Sequence, residues 1–257
     1  MTDSGRIYLK WNYTPTDFFE EKETNLLPGY EHIIDNGLVT VSMDLSQFQN
    51  FPGIEHQLGE QLRSIFRGSN LISQKPFTLK YAGHEIVDSE GHRHITVALE
   101  PVHLVMKVGK TDLIVKDANG KIVADTRQER QDKLRKLSVL SFKHSQSDPV
   151  AGSILVSFEK SLQHAETSLV HLFEIQEALS TRFSGEAIAK RELGITNAQW
   201  KRLGRLANDE PLNQGRHSGV HIDGLRDATK SELDEARDSA IGMVIAYLEY
   251  LERNSPA

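Results

Sequence analysis

Cysteine is absent from the 257 residues of this chain. The absence excludes disulfides, zinc–thiolate sites, iron–sulfur clusters and a cysteine nucleophile. It leaves histidine–carboxylate metal binding and histidine acid–base chemistry open. Long apolar runs are also missing: the longest, Ile241 to Leu248, is far too short to span a bilayer. The opening MTDSGRIYLKW lacks the apolar stretch of a secretion signal, so a cytoplasmic protein without membrane association is expected. An excess of basic charge is lacking too. The formal net charge is −6, with 30 Lys/Arg against 36 Asp/Glu, which argues against broad nonspecific binding to nucleic acid. Up to residue 146 the basic and acidic residues nearly balance; the remainder is acidic, with 12 against 17. Any nucleic-acid contact must therefore be a local patch. There is no G-x-x-x-x-G-K-[ST] loop, no strand-borne G-x-G-x-x-G, no G-x-S-x-G and no H-E-x-x-H. Nucleotide hydrolysis, dinucleotide redox chemistry, serine-hydrolase chemistry and a bound cofactor are thus not expected.

Against these absences stand 11 histidines in a chain of ordinary apolar (38%) and charged (26%) content. The first half reads as strands. Arg6–Tyr13 and Leu38–Asp44 are short and rich in β-branched or aromatic residues. Further strands are expected at Phe77–Val87, His94–Leu99, Val102–Val108 and Asp112–Lys116, and the Asn-Gly step in DANGK predicts a hairpin between DLIVK and KIVAD. Ile54, Leu58, Leu62 and Phe66 recur every four residues and predict one helix over Gly53–Phe66.

After Asp125 the pattern turns helical. Thr126–Phe142 predicts a helix with Leu134, Leu137 and Phe142 inward, and the polar loop at 144–149 marks a boundary. Apolar residues from Ile154 to Leu179 recur at three and four, as one bent helix or two packed ones. Shorter helices follow at Glu186–Leu193, stopped by Gly194, and from Asn197 to about Ala207. Thr229 and Glu232 stand at capping-box spacing before a last helix whose face is Leu233, Ala236, Ala240, Val244, Tyr247, Leu248 and Leu251. The expected fold is α+β: a mostly antiparallel β domain with one helix (1–146), then an α-helical bundle (147–257).

Three segments carry candidate chemistry. In GHRHITVALEPVH, His92, His94 and Glu100 share one strand face and could ligate a metal. The spacing does not match the cupin pattern, and a half-exposed strand with its polar face outward explains the same residues. No metal site is expected. In residues 186–209 two short helices meet at Gly194, and the second carries Lys201, Arg202 and Arg205. This is either a helix–turn–helix reading a major groove or a plain helical hairpin with Trp200, Leu203 and Leu206 buried. The third segment, 206–229, sets Arg216, His217 and His221 among glycines between two helices. Histidine moves a proton near neutral pH and arginine holds a phosphate with its planar fork; a structural tie of the loop to the bundle is the alternative.

Arg216-His217-Ser218-Gly219-Val220-His221 resembles the R-x4-6-H motif of the HEPN (higher eukaryotes and prokaryotes nucleotide-binding) superfamily, late in a helical bundle and before its last long helix. The resemblance implies a homodimer through the helical domain, with two motifs forming a metal-independent endoribonuclease site. Arg216 would bind the scissile phosphate, His221 would assist attack by the 2′-hydroxyl, and His217 would take the polar position that shapes the site. Members of the family include toxins and antiphage effectors, and relatives that only bind nucleic acid or partners. The reading from sequence is thus an RNA-directed protein; the alternatives are a non-enzymatic dimeric interaction protein and a DNA-binding regulator.

Overall fold

Strict alternation in Arg6–Thr14 (β1) sends Ile7, Leu9, Trp11 and Tyr13 to one face, where all four are buried. The computed structural model describes residues 5–97, 112–116, 121–216 and 224–255. In it β1 is the middle of a five-stranded antiparallel sheet. With Glu31–Asp35 (β2), Leu38–Asp44 (β3), Thr78–Val87 (β4) and Arg93–Val97 (β5), the order is β2-β3-β1-β4-β5. β2 was not expected. It is joined to β3 through Asn36 and Gly37, both at positive φ (45° and 84°), the conformation a two-residue hairpin loop demands.

A short helix, Leu45–Asn50 (α1), precedes Ile54–Ser73 (α2). Helix α2 puts Leu58, Leu62, Ile65 and Phe66 inward. It runs beyond the expected Phe66 because nothing in the following turns breaks it until Gln74, whose φ is +49°. Tyr13, Phe18, Phe19, Phe66 and Phe77 form one aromatic cluster with centroids 5.0 to 6.1 Å apart, worth about 0.5–1.5 kcal/mol per pair beyond the area buried. On the opposite sheet face the nearly buried Glu85 carboxylate receives Lys10 at 3.0 Å and Arg93 at 2.5 Å. The hydrogen bond from Lys10, more than any other influence, holds its pKa below the usual carboxylate value.

His32 closes the loop before β2. Its Nε2 accepts the backbone N–H of Leu26 and Leu27 at 3.1 and 3.2 Å, while Nδ1 lies 3.0 Å from the Tyr30 carbonyl. That arrangement requires the proton on Nδ1. The expected DLIVK–KIVAD pairing is present as Ile114–Lys116 (β6) against Ile122–Asp125 (β7). The strand expected at Val102–Val108, and Glu100, lie outside the described residues.

Asp125 accepts from the N–H of Arg127 and Gln128 and so starts Thr126–Ser147 (α3) where expected. This helix continues past Phe142 because no breaker precedes Pro149. Proline forces the residue before it out of the helical region, and Asp148 is extended (φ −128°, ψ 112°). Asp148 also caps Pro149–Gln163 (α4) by accepting from Ala151 N–H at 2.8 Å. The long periodic stretch resolves into two helices, α4 and Ser168–Arg182 (α5), parted by a 3₁₀ turn at Ala165–Thr167. Glu186–Leu193 (α6) ends at Gly194, φ +66°; Asn197–Gly204 (α7) starts from the Thr196 capping box and passes into a π-helical turn, Arg205–Asp209. Lys230–Asn254 (α8) begins at the expected Thr229–Glu232 capping box. Ala236, Ala240, Val244, Tyr247 and Leu248 are buried, while Leu233 and Leu251 are only half-buried.

The chain is α+β, as its pattern predicts. Two compact units emerge: Met1–Phe66 with Phe77–Val139, and Arg67–Pro76 with Leu140–Ala257. Both divisions fall inside helices, α2 and α3, rather than in the polar loop at 144–149. Leu140, Ser141 and His144 are buried and belong to the second unit. No helix among the described residues is long and apolar enough to cross a membrane.

Candidate functional site

The site lies in the helical unit, around Phe173 on α5. Leu169, Leu172, Ile175 and Leu179 of this helix are buried. The adjoining positions Phe173, Gln176 and Glu177 are therefore carried on the flank of that core. Phe173 and Gln176 line a cleft of about 720 Å³ whose other walls come from the start of α6, from α7 with its π turn, and from Glu235 of α8.

Sequence reasoning about the α6–α7 segment holds at its buried side: Trp200, Leu203 and Leu206 are nearly inaccessible. Its basic side does not project freely. Lys201, Arg202 and Arg205 line the cleft. Arg202 pairs with Glu235 at 2.8 Å, and Arg205 pairs with Glu210 at 2.6 Å and Glu235 at 3.8 Å. Lys201 is exposed and makes no ion pair among the described residues. Glu186, Asp209 and Glu235 share the lining, so basic and acidic side chains balance there. A recognition helix must offer a projecting face with free cations to a phosphate-lined groove; concave, charge-balanced residues suit that role poorly.

Arg216 reaches the same neighbourhood from the other side. Its guanidinium carbon stands 5.3 Å from the centroid of the Phe173 ring, and Nη1 donates to Glu177 Oε1 at 2.5 Å. Both members of this pair keep 42% and 50% of their side-chain surface exposed. The backbone N–H of Arg216 donates to the Ala207 carbonyl in the π turn at 2.9 Å. His217 and His221 lie outside the described residues.

The segments flanking them are fixed. Leu212, fully buried, bridges Arg226 in parallel fashion; Asn213 N–H donates to the Arg226 carbonyl, and Arg226 N–H to that of Pro211, both at 2.9 Å. Asn213 and Gln214 side-chain amides both donate to Asp227 Oδ1, and Gln214 Oε1 accepts the Ala228 N–H. Gln214 also ties this stem to α5 through its carbonyl and Val170 N–H at 3.3 Å. Arg226 grips Glu232 with two bonds, at 2.8 and 2.6 Å. That grip, aided by the Thr229 N–H, lowers the Glu232 carboxyl to about 2.

Elsewhere, His92 and His94 turn toward Asp88 at 3.3 and 3.7 Å. Among the described residues no group of three histidines and carboxylates is arranged to hold a metal ion. Phe173, Gln176 and Glu177 escaped sequence reasoning. In the one-dimensional pattern they fill the ordinary gaps between core positions of α5, and only packing brings α7 and the 211–216 segment to them. No protein-family model matches the chain, and neither curated proteins nor solved structures give a match.

Proposed function

We propose that the helical unit is an RNA-directed module of HEPN type: a metal-independent endoribonuclease, or a relative that holds RNA without cutting it. The observation that supports this is convergence at Phe173. Two basic sets that are separate in sequence, Arg216 and the Lys201–Arg202–Arg205 group, meet on either side of one half-buried aromatic ring. Arg216 is held by an exposed carboxylate only, and such pairs contribute about 0–1 kcal/mol. Exchanging Glu177 for a phosphate, which the guanidinium fork can take with two bonds, is therefore cheap. In this reading Arg216 holds the scissile phosphate and His221 takes the 2′-hydroxyl proton as that oxygen attacks phosphorus. His217 shapes the site, and a second copy of the chain completes it.

Cleavage of single-stranded RNA in the presence of a chelator tests the reading. Arg216→Ala and His221→Ala are each expected to lower the rate about 10²–10⁴-fold, the range of one acid–base group. Cleavage that survives both substitutions would remove the site from the reaction. The homodimer is tested by light scattering, where a strict monomer at high concentration counts against a composite site. The charge balance of the cleft favours a second reading: RNA held without cleavage, through one or two phosphates.

A further inference from the structure

Gln176 is 8% exposed, and its Oε1 is sealed with no hydrogen-bond partner. Its Nε2 likewise has no partner among the described residues. A buried amide without partners loses the hydrogen bonds that water would give it, and native interiors seldom leave one so. This one lies in the floor of the Phe173 cleft. Beside it is Gly204, where an added Cβ would stand 3.7 Å from Gln176 Nε2 and 4.0 Å from Oε1. The φ of Gly204 is −57°, an ordinary helical value. Backbone geometry therefore does not require glycine there, and what its missing side chain provides is space above the amide.

Four features define what would fill that space. The amide offers a donor and an acceptor side by side, and turning it by half a revolution exchanges the two without changing its shape. Phe173 supplies a flat apolar wall, backed on one side by Arg216. Lys201 at the rim has no carboxylate to neutralise it. The volume, about 720 Å³, is that of a small-molecule site rather than a groove for a long polymer. The balanced lining charges suit one anionic group and not a row of them. We infer that the cleft binds a single nucleotide: a heterocyclic base edge against Gln176, its ring beside Phe173, and one phosphate at Lys201. The base is supplied either by a free mononucleotide or by one residue of single-stranded RNA. This inference does not depend on cleavage, or on His217 and His221.

Calorimetric titration of the full chain tests it, with the four ribonucleoside monophosphates, adenosine, ribose 5-phosphate and RNA trinucleotides as probes. Saturable one-to-one binding of at least one monophosphate or trinucleotide is expected, weaker by about tenfold or more in Gln176→Leu, the factor that loss of a buried hydrogen bond carries. Lys201→Glu should weaken the phosphate-bearing ligands and leave adenosine unchanged. Gly204→Ala should melt higher than the parent, since alanine is the better helix former, and yet bind less tightly, an opposition that a purely structural glycine would not produce. Tighter binding of trinucleotides than of monophosphates identifies RNA as the source of the base, and the reverse identifies a free nucleotide. No saturable binding of any probe by the folded protein overturns the inference. So does binding that Gln176→Leu and Gly204→Ala both leave unchanged. RNA cleavage without mononucleotide binding would overturn this site and leave the nuclease reading standing.

Discussion

Glu232 takes two bonds from Arg226 and others from the Thr229 backbone N–H and hydroxyl, which bring its carboxyl from an ordinary 4.5 to about 2. A carboxyl lowered on folding adds stability above its unfolded pKa and loses that contribution as pH falls through the folded one. Glu232→Gln should therefore melt below the parent at pH 7, and the gap should close progressively from about pH 4.5 to about pH 2; thermal melts at pH 7, 4 and 2.5 check it. His32 is the converse case, a buried acceptor whose loss strands two donors. His32→Ala leaves the Leu26 and Leu27 N–H groups unpaired and should cost about 1–3 kcal/mol for each donor left without a partner, measured by urea unfolding. Gln176→Leu should be neutral or stabilising for the fold, because it removes an amide that has no partner. Little of this residue-scale detail was legible in the sequence. A buried histidine and an exposed one look alike until the loop that closes on them is known, and Gln176 occupies a position where a solvent-facing glutamine would look the same.

At the scale of elements, legibility follows the strength of local chemistry. The Thr229–Glu232 and Gly194 signals mark helix ends through backbone hydrogen bonds and a left-handed residue, and the structure puts the ends of α6 and α8 there. Asp35-Asn36-Gly37 carries the same Asn-Gly signal as DANGK, yet β2 went unassigned, because its run of five residues is short and its inward His32 is polar. Gly37→Ala tests that turn. The position has φ +84°, and an added Cβ would stand 2.7 Å from Thr16 Cγ2. Strain of that kind costs about 1–3 kcal/mol, expected as a lowered urea midpoint with an unchanged slope. The π turn had no legible signal at all: RLAND reads as the tail of α7, and only the Ala207 carbonyl, which accepts from Arg216, reveals what the widened turn presents.

For the molecule as a whole, composition decides more than any single site. A chain at −6 with a pI near 6.0 cannot hold RNA through a broad counterion effect. A single-strand complex should accordingly show a slope of log K against log salt near −0.7 for each phosphate engaged, between about −0.7 and −2 in total; a slope several times steeper would require a basic surface elsewhere. The fold class was readable because hydrophobic period switches from two to about 3.6 once, near Asp125. The division into units was not, because it falls within continuous helices whose periodicity does not change where their packing partner does. The cleft was legible only in fragments, since α5, α7 and α8 supply its walls from more than sixty residues of sequence.

The π turn at Arg205–Asp209 has a consequence for how this chain tolerates insertion and deletion. A π turn accommodates one residue more than an α turn. Deleting one residue between 205 and 209 would let α7 continue as plain α-helix, but everything after it would be rotated by about 100° and drawn back by about 1.5 Å. Arg216 would then leave the ring of Phe173, although no residue of the cleft itself had been substituted. Spacing in this stretch is thus as much a part of the site as side-chain identity.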